Sequence, residues 1–188
     1  MSFTELNEEE KQTLLDIARQ SINYGLEQHS SLPVQIEQYS PLLQQQGASF
    51  ITLHINHQLR GCIGTLEAYQ ALIKDVADHA FAAAFQDNRF PPLTTKEAPL
   101  LDIHISILTA ATPMSFSSEA DLVRQLQVGI DGLILEADRK KGTFLPSVWE
   151  SLPDPKDFLN HLKMKAGLST NYWSDGIKIS RYQTITIP

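Results

Sequence analysis

The chain has 188 residues, 42% of them hydrophobic and 20% charged, with a formal net charge of −7. That length supports one large domain or two small subdomains with a real core, and the composition is that of a soluble globular protein. The acidic balance argues against a general nucleic-acid binder, which needs a basic face to neutralise phosphates.

The N-terminus, Met1-Ser2-Phe3-Thr4-Glu5-Leu6, has no basic region and no apolar core, so it does not read as a secretory signal. No apolar run approaches the ~18 residues needed to span a bilayer, and no membrane partner is expected. Asn7 is placed to cap a helix whose first turn, Glu8-Glu9-Glu10, suits the helix dipole. Leu14, Ala18, Ile22 and Leu26 recur at every fourth position, predicting an amphipathic helix that ends near Gln28. Ser30-Ser31-Leu32-Pro33 breaks it, and an irregular stretch to Gly47 precedes a strand alternating over Ser49 to Ile55. A hairpin follows. Then Leu72, Ile73, Val76, Ala77, Ala80, Phe81 and Ala84 fill the stripe of a second helix, which Pro91-Pro92 forbids from continuing. Leu101, Ile103, Ile105 and Ile107 alternate as a half-buried strand. Ser118 caps a short helix through Leu126, Leu133 to Ala137 is a strand, and Asp138 to Gly142 turns it back into Thr143-Phe144-Leu145. Asp154-Pro155 opens a helix with an apolar side of Phe158, Leu159 and Leu162, ending at Gly167. Ile177, Ile179, Ile185 and Ile187 share one parity of a long terminal strand. The sum is an α+β fold with mainly antiparallel sheets and flanking helices, organised as a single domain over residues 1–188 without an internal linker.

The chemistry concentrates in the hairpin, at Leu59-Arg60-Gly61-Cys62-Ile63-Gly64. Cys62 is the single cysteine, so no internal disulfide forms and a reducing, cytoplasmic setting is expected. Residues two apart on a strand share a face, which would place Arg60 beside Cys62, and a guanidinium there favours the reactive thiolate. A lone free cysteine is otherwise a small buried hydrophobe. The loop has two alternatives. A two-residue Asn56-His57 loop puts Cys62 on the side of Ile51, Leu53 and Ile55. A three-residue loop including Gln58 pairs Ile55 with Leu59, Leu53 with Gly61, Ile51 with Ile63, Thr52 with Cys62 and His54 with Arg60. The second gathers the apolar residues on one face and is preferred, since burying one clean face sets register strongly. Gly61 and Gly64 let backbone approach a ligand closely or form a nest of N–H groups for anions, or serve only a packing bulge. Arg89 reaches an anion, or forms a salt bridge that anchors the Phe90-Pro91-Pro92 turn. Glu67 is a candidate partner for Arg60. The histidines lack metal-ligand spacing: His54 and His57 point to opposite sides of the hairpin, and His29, His104 and His161 have no spaced partners. His79 reads as a boundary histidine. Neither a metal nor another cofactor is expected.

Leu-Arg-Gly-Cys-Ile-Gly at 59–64 resembles the signature of the AMMECR domain family. Ala82-Ala83-Ala84-Phe85-Gln86-Asp87-Asn88-Arg89-Phe90-Pro91-Pro92-Leu93 is similar to the family's second motif, and Ser106-Ile107-Leu108-Thr109 to its next strand. Gly129-Ile130-Asp131-Gly132-Leu133-Ile134, Phe144-Leu145-Pro146-Ser147-Val148, Lys165-Ala166-Gly167-Leu168 and Trp173 follow in the family's order. The chain departs at Asn88, where many members carry proline, and at His104, where many carry glutamate. The resemblance implies two intertwined subdomains with the cysteine motif facing a groove between them. It also implies partners, a Memo-like protein and a radical-SAM protein, in the AmmeMemoRadiSam system. It implies no established reaction. Two readings follow. In one, the domain binds a small anionic ligand or partner through Arg60, Gly61, Gly64 and Arg89. In the alternative, Cys62 is the catalytic nucleophile or redox thiol of a cysteine-dependent enzyme.

Overall fold

The computed structural model describes residues 2–188, and the chain divides into two compact units. One runs up to Leu108 and takes in the terminal Ile185–Pro188; the other is Thr109–Thr184.

After a short 3-10 turn at Phe3–Glu5, the first unit continues into α1 (Glu8–Gln28), where the cap forms reciprocally. Glu10 N–H donates to the Asn7 side chain at 2.8 Å, and the Glu10 carboxylate accepts the Asn7 N–H at 3.1 Å. The helix buries Leu14, Ile17, Ala18 and Ile22. The stretch after it is less irregular than its composition suggests. It holds a short α2 (Pro41–Gln44) and β1 (Gln46–Gly47), which leads into β2 (Ser49–Ile55). After β3 (Gln58–Gly64), β4 (Gln70–Ala71) pairs back with β1 and delivers the chain into α3 (Leu72–Phe85). α3 packs on α1, and its buried set, including Leu72, Ile73, Val76, Ala77, Ala80 and Ala84, follows the predicted stripe. β5 (Asp102–Leu108) then runs antiparallel to β2, as β3 does on the other side. With β10 (Thr184–Ile187) the sheet order is β10-β5-β2-β3, which leaves β3 at an edge. Ile51, Leu53, Ile103, Ile105 and Ile107 form its buried face within the core that includes α1 and α3.

The second unit has its own core and its own sheet. Its elements are β6 (Thr112–Pro113), α4 (Glu119–Gln125), β7 (Gly132–Ala137), β8 (Lys140–Phe144), α5 (Pro155–Lys165) and β9 (Lys178–Tyr182). The sheet order is β6-β9-β7-β8. Asp154 accepts the N–H groups of Lys156 and Asp157 ahead of Pro155, and Gly167 takes a left-handed φ of 82° just past the helix. Trp149 stacks on Phe158 at 3.7 Å between ring centroids, in a cluster with Leu133, Leu135, Leu159 and Leu162.

Two expectations change. The β7–β8 connection is tighter than Asp138 to Gly142: only Asp138 and Arg139 turn, both with positive φ, and pairing resumes at Lys140. A two-residue turn of that hand matches the natural twist of paired strands. The long terminal strand is two strands separated by Gln183, whose N–H and carbonyl bond to Thr109. The alternating isoleucines therefore serve two cores, Ile177 and Ile179 that of the second unit, Ile185 and Ile187 that of the first.

Candidate functional site around Cys62

The hairpin register combines features of both sequence alternatives. Asn56 and His57 alone form the turn, with φ of 51° and 64°, so Ile55 faces Gln58 and His54 faces Leu59. Continued without interruption, that register would place Cys62 on the buried face. A bulge at Arg60 prevents this, because it shifts the pairing by one residue between His54 and Leu53. Beyond it Leu53 faces Gly61, Thr52 faces Cys62 and Ile51 faces Ile63. The expected pairings of Ile55 with Leu59 and His54 with Arg60 are replaced, and Leu59 is left 39% exposed. The demand for one apolar face is met by a bulge instead of a longer loop.

The same bulge separates Arg60 from Cys62. Arg60 is buried, its Nε donating to Glu97 Oε1 at 2.9 Å and its Nη2 to the Pro91 carbonyl at 2.9 Å. Arg60 pulls the Glu97 carboxyl down to about 2, helped by the Thr94 N–H and hydroxyl. Glu67, the partner offered by proximity in sequence, is exposed and does not take this role. Nη1 of Arg60 is buried and has no acceptor among the described residues.

Gly61 lies directly against α3, where a Cβ would come 2.1 Å from the Ala83 carbonyl oxygen. Gly64 is equally confined: a Cβ there would sit 2.3 Å from the Ser49 carbonyl oxygen. Both glycines are required by close backbone approach.

Cys62 is half-buried, on the opposite face of the sheet from Gly61. Its Sγ is 3.3 Å from the Thr52 hydroxyl. Its backbone lies on the free edge of β3, where N–H and C=O would otherwise await another strand. Asp87 accepts the Cys62 N–H at 2.9 Å, and Arg89 reaches the Cys62 carbonyl at 3.4 Å. Two side chains from the segment after α3 thus stand in for a neighbouring strand. Arg89 also closes a bidentate pair on Asp87, at 3.0 and 2.7 Å. The Arg89 guanidinium, then the N–H groups of Cys62 and Arg89, hold the Asp87 carboxyl well below the usual carboxylate range. The Phe90 ring lies near both guanidiniums, its centroid 5.8 Å from Arg60 and 5.6 Å from Arg89.

Across the sheet, Thr52 is the register partner of Cys62 on one side and of His104 on the other. His104 Nε2 is 2.9 Å from Asp102 Oδ2, and its ring meets His54 edge-on at 5.3 Å. A thiol, a hydroxyl and an imidazole therefore occupy one row over three adjacent strands, and all three residues are half-buried. Alternation puts Cys62 and His104 on this face once the register is known, yet nothing in their own segments links them. Glu97 and Asp87 are further polar neighbours of the hairpin, and for Glu97 no spacing in the sequence signals its pairing with Arg60. His79 is buried, with Nδ1 3.1 Å from Asp75, away from this row. Among the described residues no group of three or more His, Cys, Asp or Glu side chains could hold a metal ion, and no helix is long and apolar enough to cross a membrane.

This arrangement belongs to a chain whose residues 15–187 match the AMMECR1 family. The chain belongs to the AMMECR1 family. A protein of Methanothermobacter thermautotrophicus is 34% identical, over 97% of this chain and 96% of the relative. Protein SSO0193 of Saccharolobus solfataricus is 36% identical over 98% of this chain and 84% of its own length. The crystal structure of the uncharacterized protein PH0010 from Pyrococcus horikoshii superposes with a TM-score of 0.84 at 28% identity, covering 96% of this chain and 92% of that one. The AMMECR1 match includes the cysteine hairpin, α3, the Asp87–Arg89 segment and β5, so every residue of the site lies inside the family's span.

Proposed function

We propose that this AMMECR1-family chain is a binding component that works with Memo-like and radical-SAM proteins, and that an anionic group of a small ligand or partner meets it around Cys62. One observation carries the reading: hydrogen-bond donors gather at this hairpin beyond the number the fold uses. Arg60 is tied to Glu97 and Pro91, yet its buried Nη1 has no acceptor among the described residues. Buried at the hairpin, that guanidinium is held in place, and the donor open to an incoming anion is the neighbouring Arg89. Arg89 holds Asp87 with its side chain still 56% exposed. Gly61 and Gly64 hold the strand close to its neighbours, and Cys62 and Thr52 add a thiol and a hydroxyl. The full chain titrated calorimetrically with each purified partner tests this. Arg89→Ala weakens association about tenfold, the loss of one charge-assisted contact, while Cys62→Ser changes it little. Unchanged affinity in Arg89→Ala, or no association of the native chain with either partner, removes the reading.

A second reading is favoured by the row Cys62, Thr52, His104 with Asp102 behind it. Here Cys62 is a nucleophile in a transfer reaction and Thr52 orients its thiol, while His104, one strand beyond Thr52 and bonded to Asp102, does not reach the thiol proton directly. Cys62→Ser then abolishes pathway function while leaving the fold and partner binding intact. A fully active Cys62→Ser variant eliminates this alternative.

A further inference from the structure

The second unit holds a groove of about 570 Å³ walled by α4, α5 and the segment that follows α5, within the size range of small-ligand sites. A buried charge joins two of its lining residues, Glu119 and Thr170. Lys163 is completely buried, and its Nζ donates to Glu119 Oε1 at 2.6 Å and to the Thr170 carbonyl at 3.1 Å. That ammonium ties the start of α4 to the segment after α5 and neutralises Glu119, so the carboxylate does not oppose an anion in the groove. To the lining, α5 contributes Lys156 and Asn160, and the following segment contributes Asn171. Their side chains make no hydrogen bond or ion pair with the protein among the described residues. Ala120 and Val123 of α4 supply an apolar wall.

An ammonium and two primary amides line the same groove as the methyl groups of Ala120 and Val123. A carboxylate satisfies several such donors at once, and charge-assisted bonds to it are strong. We propose that this groove binds a small organic acid: a carboxylate held by Lys156, Asn160 and Asn171, on a short branched aliphatic chain packed against Ala120 and Val123. The site is independent of Cys62, and its failure would leave the reading of that site untouched.

Three matched probes test it: L-valine, isovalerate, which lacks the amine, and isobutylamine, which lacks the carboxylate. Each is titrated into the full chain while the methyl resonances of Ala120 and Val123 are followed by NMR. Both acids shift these methyls saturably, with Kd on the order of 1 mM, and isobutylamine does not. Tighter binding of L-valine assigns a free amino acid whose ammonium meets the second oxygen of Glu119; equal binding assigns a simple acid. Lys156→Ala, at an exposed position that the fold does not use, weakens both acids about tenfold, and Lys156→Arg restores most of the affinity. Saturation by isobutylamine, no saturation by either acid, or unchanged affinity in Lys156→Ala overturns the proposal.

Discussion

Gly61→Ala is the sharpest perturbation of the cysteine hairpin. The added Cβ would meet the Ala83 carbonyl oxygen at 2.1 Å and its carbon at 3.0 Å, where ordinary contact begins near 3.4 Å. Both obstructing atoms are backbone, so no side chain can rotate away, and β3 must retreat from α3 by roughly 1 Å. Overpacking of this kind costs about 1–3 kcal/mol by itself. The retreat also stretches the 2.9 Å bond from Cys62 N–H to Asp87, and weakening a hydrogen bond to a charged group adds about 1.5–3 kcal/mol. We expect a loss of about 3–5 kcal/mol, which for a chain of this size lowers Tm by about 6–20 °C. Urea melts followed by circular dichroism at 222 nm measure it. Gly176→Ala is the control, since its Cβ would meet nothing closer than Ser174 Oγ at 3.9 Å, and it should stay within about 0.5 kcal/mol of the native chain. A Gly61→Ala variant as stable as that control would refute the argument that this glycine exists for close approach.

Asp87→Ala leaves the Cys62 N–H without its acceptor and Arg89 without its partner, and should cost about 2–3 kcal/mol in the same melts; Asp87→Asn, which keeps an acceptor, should recover part of the loss. Glu97 has its folded pKa lowered from 4.5 to about 2 by Arg60, so its contribution is present above the unfolded value and disappears as pH falls through the folded one. Stability measured from pH 5 down to about 2 should therefore fall less steeply in Glu97→Gln than in the native chain, and parallel curves would show that the pair has no linkage. Thr52→Val removes the neighbour of the Cys62 thiol at a half-buried position; the iodoacetamide alkylation rate should change severalfold while stability stays within about 1 kcal/mol, and an unaltered rate would show that Thr52 exerts no control over the thiol.

Several elements were legible because their signals are local. The Asn7 and Asp154 caps bond to amides two or three residues away, and the α3 stripe declares its buried face by spacing alone. Alternation identified β2 and β5 for the same reason, as one buried face imposes a period of two. The terminal isoleucines show where such a signal stops. Their parity marks buried positions correctly, but parity carries no information about which core receives each one, and the chain passes from one sheet to the other at Gln183.

The sequence by itself determined the α+β class, the main helices and strands and, through its motifs, membership of the AMMECR1 family. It also singled out Cys62, Arg60 and Arg89. Only the tertiary structure decided what those residues touch. The bulge at Arg60 exists because a tight Asn56-His57 turn and a single apolar face are compatible only if one residue is added, so Arg60 turns to Glu97 and Cys62 to Thr52. Asp87 and Arg89 complete the edge of β3, and His104 joins the row of Cys62 from a strand 42 positions later in the sequence. Such pairings are set by how strands register and how loops close over distance, and no residue's own neighbourhood in the chain encodes its partner across a sheet.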